Sequence, residues 1–185
     1  MKFLSMKRIL LAVVAILMII PSYAGDNDKI KWMTWDEAQV AMKKKPKKVW
    51  VDVYTDWCGW CKVMDKKTFS NPDVIKYMNE NFYAVKFDAE TKEDIRFMGN
   101  VYKLNPSVGR SGTNELAIQL LSGQLSYPSM IYMEENFQNP VIVPGYQPAP
   151  QLQTIFNYLM KGAYKQKIPL DEFSKGYTPT WKEKS

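Results

Sequence analysis

Cys58 and Cys61 are the only cysteines in this 185-residue chain, and they stand together in "TDWCGWCK", Thr55 to Lys62. Sulfur at this spacing can serve as a structural staple, as part of a metal site, or as an exchange pair. A disulfide stabilises mainly by restricting the unfolded chain, and the gain falls as the closed loop shortens. Bridging two residues is therefore poor stapling. A structural zinc site takes four Cys or His ligands, and the chain has two cysteines and no histidine. An iron–sulfur cluster needs four thiolates, which only a dimer pooling two such motifs would provide. Thiol–disulfide exchange suits the spacing, because one thiolate attacks a substrate disulfide and the second must reach back to release it. No metal and no cofactor is expected in the single chain. An inert disulfide and a dimer-bridged cluster are the alternatives.

The lack of histidine also removes Ser-His-Asp and Cys-His catalysis, and Lys62 stands where a haem-attachment motif needs histidine. "GRSG", Gly109 to Gly112, lacks the Gly-Lys-Ser/Thr ending of a phosphate loop and reads as a turn. The formal charge is +6. The densest basic run, "KKKPKK" at 43–48, straddles a proline and reads as a solvated turn, so nucleic acid is not an expected partner.

The N-terminus carries Lys2, Lys7 and Arg8, then an apolar run from Ile9 to Ile20, then Pro21 and the small residues Ser22 and Ala24. This is the pattern of a cleaved signal peptide over residues 1–24, with an uncleaved membrane anchor as the alternative. Without that segment the charge falls to +3, since it holds three of the cations and no acid. The expected location is periplasmic or otherwise exported, where disulfides persist.

Around the cysteines, "KVWVDVYT" (48–55) reads as a buried strand that leads through the motif into a helix over Val63, Met64 and Lys67. That order puts Cys58 at a helix N-terminus, where unpaired N–H groups and the dipole favour a thiolate. Cys61, one turn further in, is expected to be the less exposed. Before the strand, Thr34 and Glu37 form a capping box for a helix carrying Trp35, Ala38 and Met42. After the motif, Asn71 and Pro72 open another helix, and "FYAVKFDAE" is a second strand. The spacing of Ile95, Met98 and Tyr102 predicts a third helix over Thr91–Tyr102. A short helix through Leu116 and Leu120 ends near Gly123. "PSMIYM" and "PVIVPGY" form a strand pair turning at Asn136, and Leu152 to Leu159 lie on a closing helix. Met64, Met78, Met98, Met130, Met133 and Met160 fall at core-like positions as gap-fillers. The fold class is α/β, with a central mixed sheet covered by helices on both faces.

"VDVYTDWCGWCK", continuing through "KKTFSNPDVIKYM", resembles the thioredoxin superfamily. It is similar in particular to the periplasmic C-terminal thioredoxin-like domains of transmembrane thiol:disulfide interchange proteins. The resemblance covers roughly Ile30 to Lys161 and implies a thioredoxin fold over residues 25–164, with a helical insert at about 103–126 before the cis-proline strand. A tail follows at 165–185, whose Phe173, Tyr177 and Trp181 are expected to dock on the domain. By the same resemblance Cys58 matches the nucleophile, Cys61 the resolving thiol and Asp52 the buried acid. Lys86 matches the lysine accompanying that acid, with an exposed strand lysine as its alternative. Pro128 matches a cis-proline facing the site, which would leave the Tyr127 backbone to pair with an extended substrate. Trp57, Gly59 and Trp60 would border the docking surface. Gly59-Trp60 departs from the Gly-Pro of thioredoxin and leaves the redox poise open. The implied activity is disulfide oxidoreduction on protein substrates, in the reducing direction, with a membrane partner supplying electrons. A disulfide donor or isomerase, or a binding or chaperone module on the same fold, are the alternatives.

Overall fold

Strand β2 (Lys48–Tyr54) occupies the centre because its β-branched and aromatic side chains find cover on both faces. In the computed structural model, which describes residues 28–184, it pairs in parallel with β3 (Phe82–Asp88) and antiparallel with β8 (Ser129–Met133). β1 (Trp32–Met33) adds in parallel to β3, and β9 (Val141–Pro144) antiparallel to β8, for the order β1-β3-β2-β8-β9. The sequence pattern missed β1, which is two residues long and carries no alternation of its own. The export leader expected over residues 1–24 lies outside the described residues. Among the described residues no helix is long and apolar enough to cross a membrane.

Alternation along β2 splits the core in two. Val49, Val51 and Val53 face α1 (Trp35–Lys44) and α4 (Glu115–Leu120), packing with Trp35, Ala38, Met42 and Leu116. Trp50 faces α2 (Gly59–Lys67), α3 (Pro72–Asn81) and α5 (Ala149–Met160), meeting Met64, Met78 and Phe156. By the same period of two, Asp52 falls on the Trp50 face, beneath α2. The helix starts follow the local chemistry. Thr34 and Glu37 form the reciprocal capping box of α1, and the Asn71 side chain accepts from Asp73 and Val74 at the start of α3.

The helix expected over Thr91–Tyr102 does not form. The segment is a hairpin of β4 (Ile95–Phe97) and β5 (Asn100–Tyr102), with Ile95 opposite Tyr102. Met98 and Gly99 make its two-residue turn, both at positive φ (50° and 82°), as a hairpin turn of matching twist requires. The apolar spacing that suggested a helix instead sends Phe97 inward onto Trp35, at 4.7 Å between rings. Met98, expected in the core, stands exposed at the turn. Beyond the hairpin, β6 (Leu104–Asn105) and β7 (Thr113–Asn114) pair with each other, and Asn114 caps α4.

After α5, a left-handed Gly162 turns the chain into a 3-10 segment and α6 (Leu170–Lys175), which ends at Gly176. Trp181 then lies edge-on to Tyr77 at 5.5 Å, and Phe173 packs on Tyr158. The Gln153 side chain accepts the backbone N–H groups of Thr180 and Trp181, fixing this extended segment to α5.

Candidate active site

Strand β2 ends at Tyr54, and after a short turn Cys58 caps α2. Its Sγ accepts the backbone N–H of Cys61 at 3.0 Å, so one of the unpaired donors of the helix start points at sulfur. Cys58 and Cys61 are joined as a disulfide with Cα atoms 5.3 Å apart. Both residues are 4 % exposed. The expectation that Cys58 would be the more open of the two therefore does not hold in the oxidised form, where Cys58 Sγ is bonded to Cys61 Sγ and accepts the Cys61 N–H. Gly59 follows at the first helical position, and a side chain there would meet nothing within 4 Å, so the surface beside the disulfide is open.

Beneath the motif lies a buried ion pair. Asp52 and Lys86 are register partners across β2 and β3, and Lys86 Nζ donates to Asp52 Oδ2 at 2.5 Å. Lys86 is thus no exposed strand lysine; its side chain is 22 % exposed against 2 % for Asp52. A second carboxylate, Asp65 of α2, shares the same ammonium from the solvent side. Asp52 Oδ1 is buried with no hydrogen-bond partner. Burial pushes the Asp52 carboxyl up to about 6, against the pull of the Lys86 charge and hydrogen bond and with a further push from Asp65. Burial also works against the Lys86 charge, but attraction to Asp52 and the bonds to both carboxylates prevail and raise its pKa. A carboxyl balanced near 6, with one oxygen free, is able to accept or return a proton close to neutral pH.

Two aromatic walls border the disulfide. The Tyr127–Pro128 peptide is cis and leads directly into Ser129, the first residue of β8, which pairs with Val53 of β2. Trp57 packs edge-on to Tyr127 at 5.9 Å and donates its indole N–H to Glu90 at 3.0 Å. On the other side Trp60 leans on Tyr146 at 5.5 Å. Trp57 is 51 % and Trp60 62 % exposed, which is unusual for rings of this size. Each ring touches a tyrosine and leaves about half or more of its residue open to solvent.

Comparison with known proteins agrees with this geometry. The family described as "Thioredox_DsbH: Protein of unknown function, DUF255" matches residues 23–162. The chain belongs to that family. It is 37% identical over 70 residues to an uncharacterised protein of Caenorhabditis elegans, covering 37% of this chain and 10% of that protein. It is 31% identical over 70 residues to spermatogenesis-associated protein 20 of Rattus norvegicus, covering 37% of this chain and 9% of the relative. The chain thus spans about a tenth of the length of these two relatives. Among solved structures, a thioredoxin-fold protein from Helicobacter pylori superposes with a TM-score of 0.53 at 15% identity, over 83% of this chain and 90% of that one. The thioredoxin-like fold and the C-x-x-C pair of this DUF255 chain fit a thiol–disulfide oxidoreductase.

Several site residues escaped the sequence reading. Asp65 follows Cys61 by four residues, so helical spacing alone puts both on one face of α2, and that signal was available. Glu90 and Tyr146, which brace the two tryptophans, and Trp32, Tyr54 and Phe69, which surround Lys86, are brought in from separate elements and carry no local mark. Among the described residues no cluster of three or more His, Cys, Asp or Glu side chains is arranged to hold a metal.

Proposed function

We propose that this DUF255 chain is an exported thiol–disulfide oxidoreductase that reduces protein disulfides. The observation that carries the reading is the cysteine pair at the start of α2 standing over a buried Asp52 whose Oδ1 is unpaired. In the dithiol form, the Cys58 thiolate attacks one sulfur of a substrate disulfide. This forms a mixed disulfide and expels the other substrate sulfur as a thiolate, which takes a proton from water. Cys61 then gives its proton to Asp52 Oδ1 and attacks Cys58 Sγ, releasing the second substrate thiolate and leaving the Cys58–Cys61 disulfide. Two electrons have passed to the substrate, and a dithiol donor must return them.

The export pattern of residues 1–24 supports a location in which that donor is a membrane protein. The open surface between cis-Pro128 and the exposed Trp57 and Trp60 suits an extended polypeptide segment around the target disulfide. The reducing direction rests on Asp52, which equips Cys61 to act as the attacking group.

The test is a redox titration of the pair together with alkylation of the reduced protein near pH 7. Cys58 is expected to react far faster than Cys61, and equal slow rates would remove the catalytic reading. A potential near that of thioredoxin, about −270 mV, supports the reductase, whereas one near about −120 mV would make the same residues a disulfide donor.

A further inference from the structure

Lys86 is restrained beyond what an ion pair needs. Its ammonium lies 5.0 Å from the centroid of the Tyr54 ring, 5.1 Å from Trp32 and 5.4 Å from Phe69. The rings come from three places: Tyr54 ends β2, Trp32 belongs to β1, and Phe69 follows α2. Trp32 and Phe69 brace each other edge to face at 5.1 Å. A lysine on a four-carbon stem ordinarily swings among many rotamers, and a neighbouring half-exposed carboxylate such as Asp65 would draw it outward.

We propose that Trp32, Tyr54 and Phe69 form an aromatic cage that pins the Lys86 ammonium against Asp52, which makes the three rings positioning residues for the proton acceptor of the exchange site. Aromatic faces attract a cation while excluding water, so they hold the charge in place without neutralising it. The groups facing Asp52 are Lys86 from β3 and Asp65 from α2; Tyr54, on its own strand, is in turn faced by Asp88 and Asp56. Of these, Lys86 alone favours the ionised carboxylate. If the ammonium swung away, burial and Asp65 would keep Asp52 protonated at neutral pH, with no capacity to take a proton from Cys61.

The catalytic meaning of the cage rests on the proposed function, but its test does not. The Asp52 carboxyl carbon is titrated by NMR in the oxidised full chain and in the Trp32→Leu, Phe69→Leu, Lys86→Met and Trp32→Leu/Lys86→Met variants. Thermal unfolding is followed in each. Loosening the cage should weaken the acid, lowering its ionisation constant about threefold to tenfold in Trp32→Leu. Phe69→Leu should move it the same way and serves if Trp32→Leu does not fold. Trp32→Phe should restore most of the change. In the Lys86→Met background, adding Trp32→Leu should shift the midpoint no further, because the ring acts through the ammonium. The proposal is overturned if the ring variants lower Tm but leave the midpoint in place, or if the shift persists without Lys86. Loss of exchange chemistry in the wild-type protein would end the proposed function and leave this titration intact.

Discussion

At the Cys58 end of β2 and β3 the rings surround a charge; at the other end they surround one another. Trp32, Tyr54 and Phe69 enclose the Lys86 ammonium, and the nearby Trp57 and Trp60 stand exposed to water. At the far end Trp50 meets Phe156 at 4.8 Å, and Tyr77 stacks on Phe156 at 5.0 Å and 12°. Trp181 from the C-terminal segment closes over Tyr77. Both groups pack on the same face of the sheet. Among rings the contribution is burial and dispersion, which any change of volume reduces. Around Lys86 the same kind of ring also influences whether a carboxylate ionises. The contrast suggests that one end of this layer holds the fold together and the other sets its chemistry.

The sharpest way to test this division is the pH dependence of stability. The Asp52 carboxyl is raised from 3.8 to about 6 in the folded protein, so between those values the folded state holds a proton that the unfolded state has lost. Stability therefore falls as pH rises through that window, and the full loss is present above about pH 6. Asp52→Asn removes this effect. In urea unfolding of the oxidised protein, the wild type should lose about 2 kcal/mol relative to Asp52→Asn between pH 4 and pH 8. The same variant should slow disulfide turnover. A pH-independent difference would mean that Asp52 is not the group that titrates.

Next comes Trp181→Ala, which removes a ring from the far end. It should lower stability by about 2 kcal/mol, less than a fully buried tryptophan because Trp181 is only part-covered, and leave the exchange rate unchanged. A comparable fall in exchange rate would show that the two ends are coupled. Trp60→Ala should have the smallest effect. With 62 % of the residue exposed, its loss should leave Tm nearly unchanged and raise KM for a protein disulfide by about threefold, under 1 kcal/mol. A drop in Tm instead would assign Trp60 to the fold.

The parts of the site legible in the sequence are those built from neighbours along the chain. The β-branched run of β2, the turn, and the cap at Cys58 follow from residues within one turn of each other, as do the capping box at Thr34 and the Asn71-Pro72 start of α3. Resemblance added the cis bond before Pro128, which spacing could not have supplied. At Thr91–Tyr102 the apolar spacing fits a helix that does not form. Met98-Gly99 at positive φ, and cover for Phe97 on Trp35, made a hairpin instead. Nor does position along the helix start predict the exposure of the two cysteines, which are equally buried in the disulfide.

The chain's own order was enough to fix a thiol pair at a helix start, because capping and strand propensity act over a few bonds and need no distant partner. What Asp52 does was beyond that order. Its ionisation depends on a lysine 34 residues away brought alongside by the parallel register of β2 and β3, on a ring from β1, and on burial beneath α2. A charge responds to everything within a few ångströms of it, and those neighbours assemble only when the sheet and the helices over it are in place.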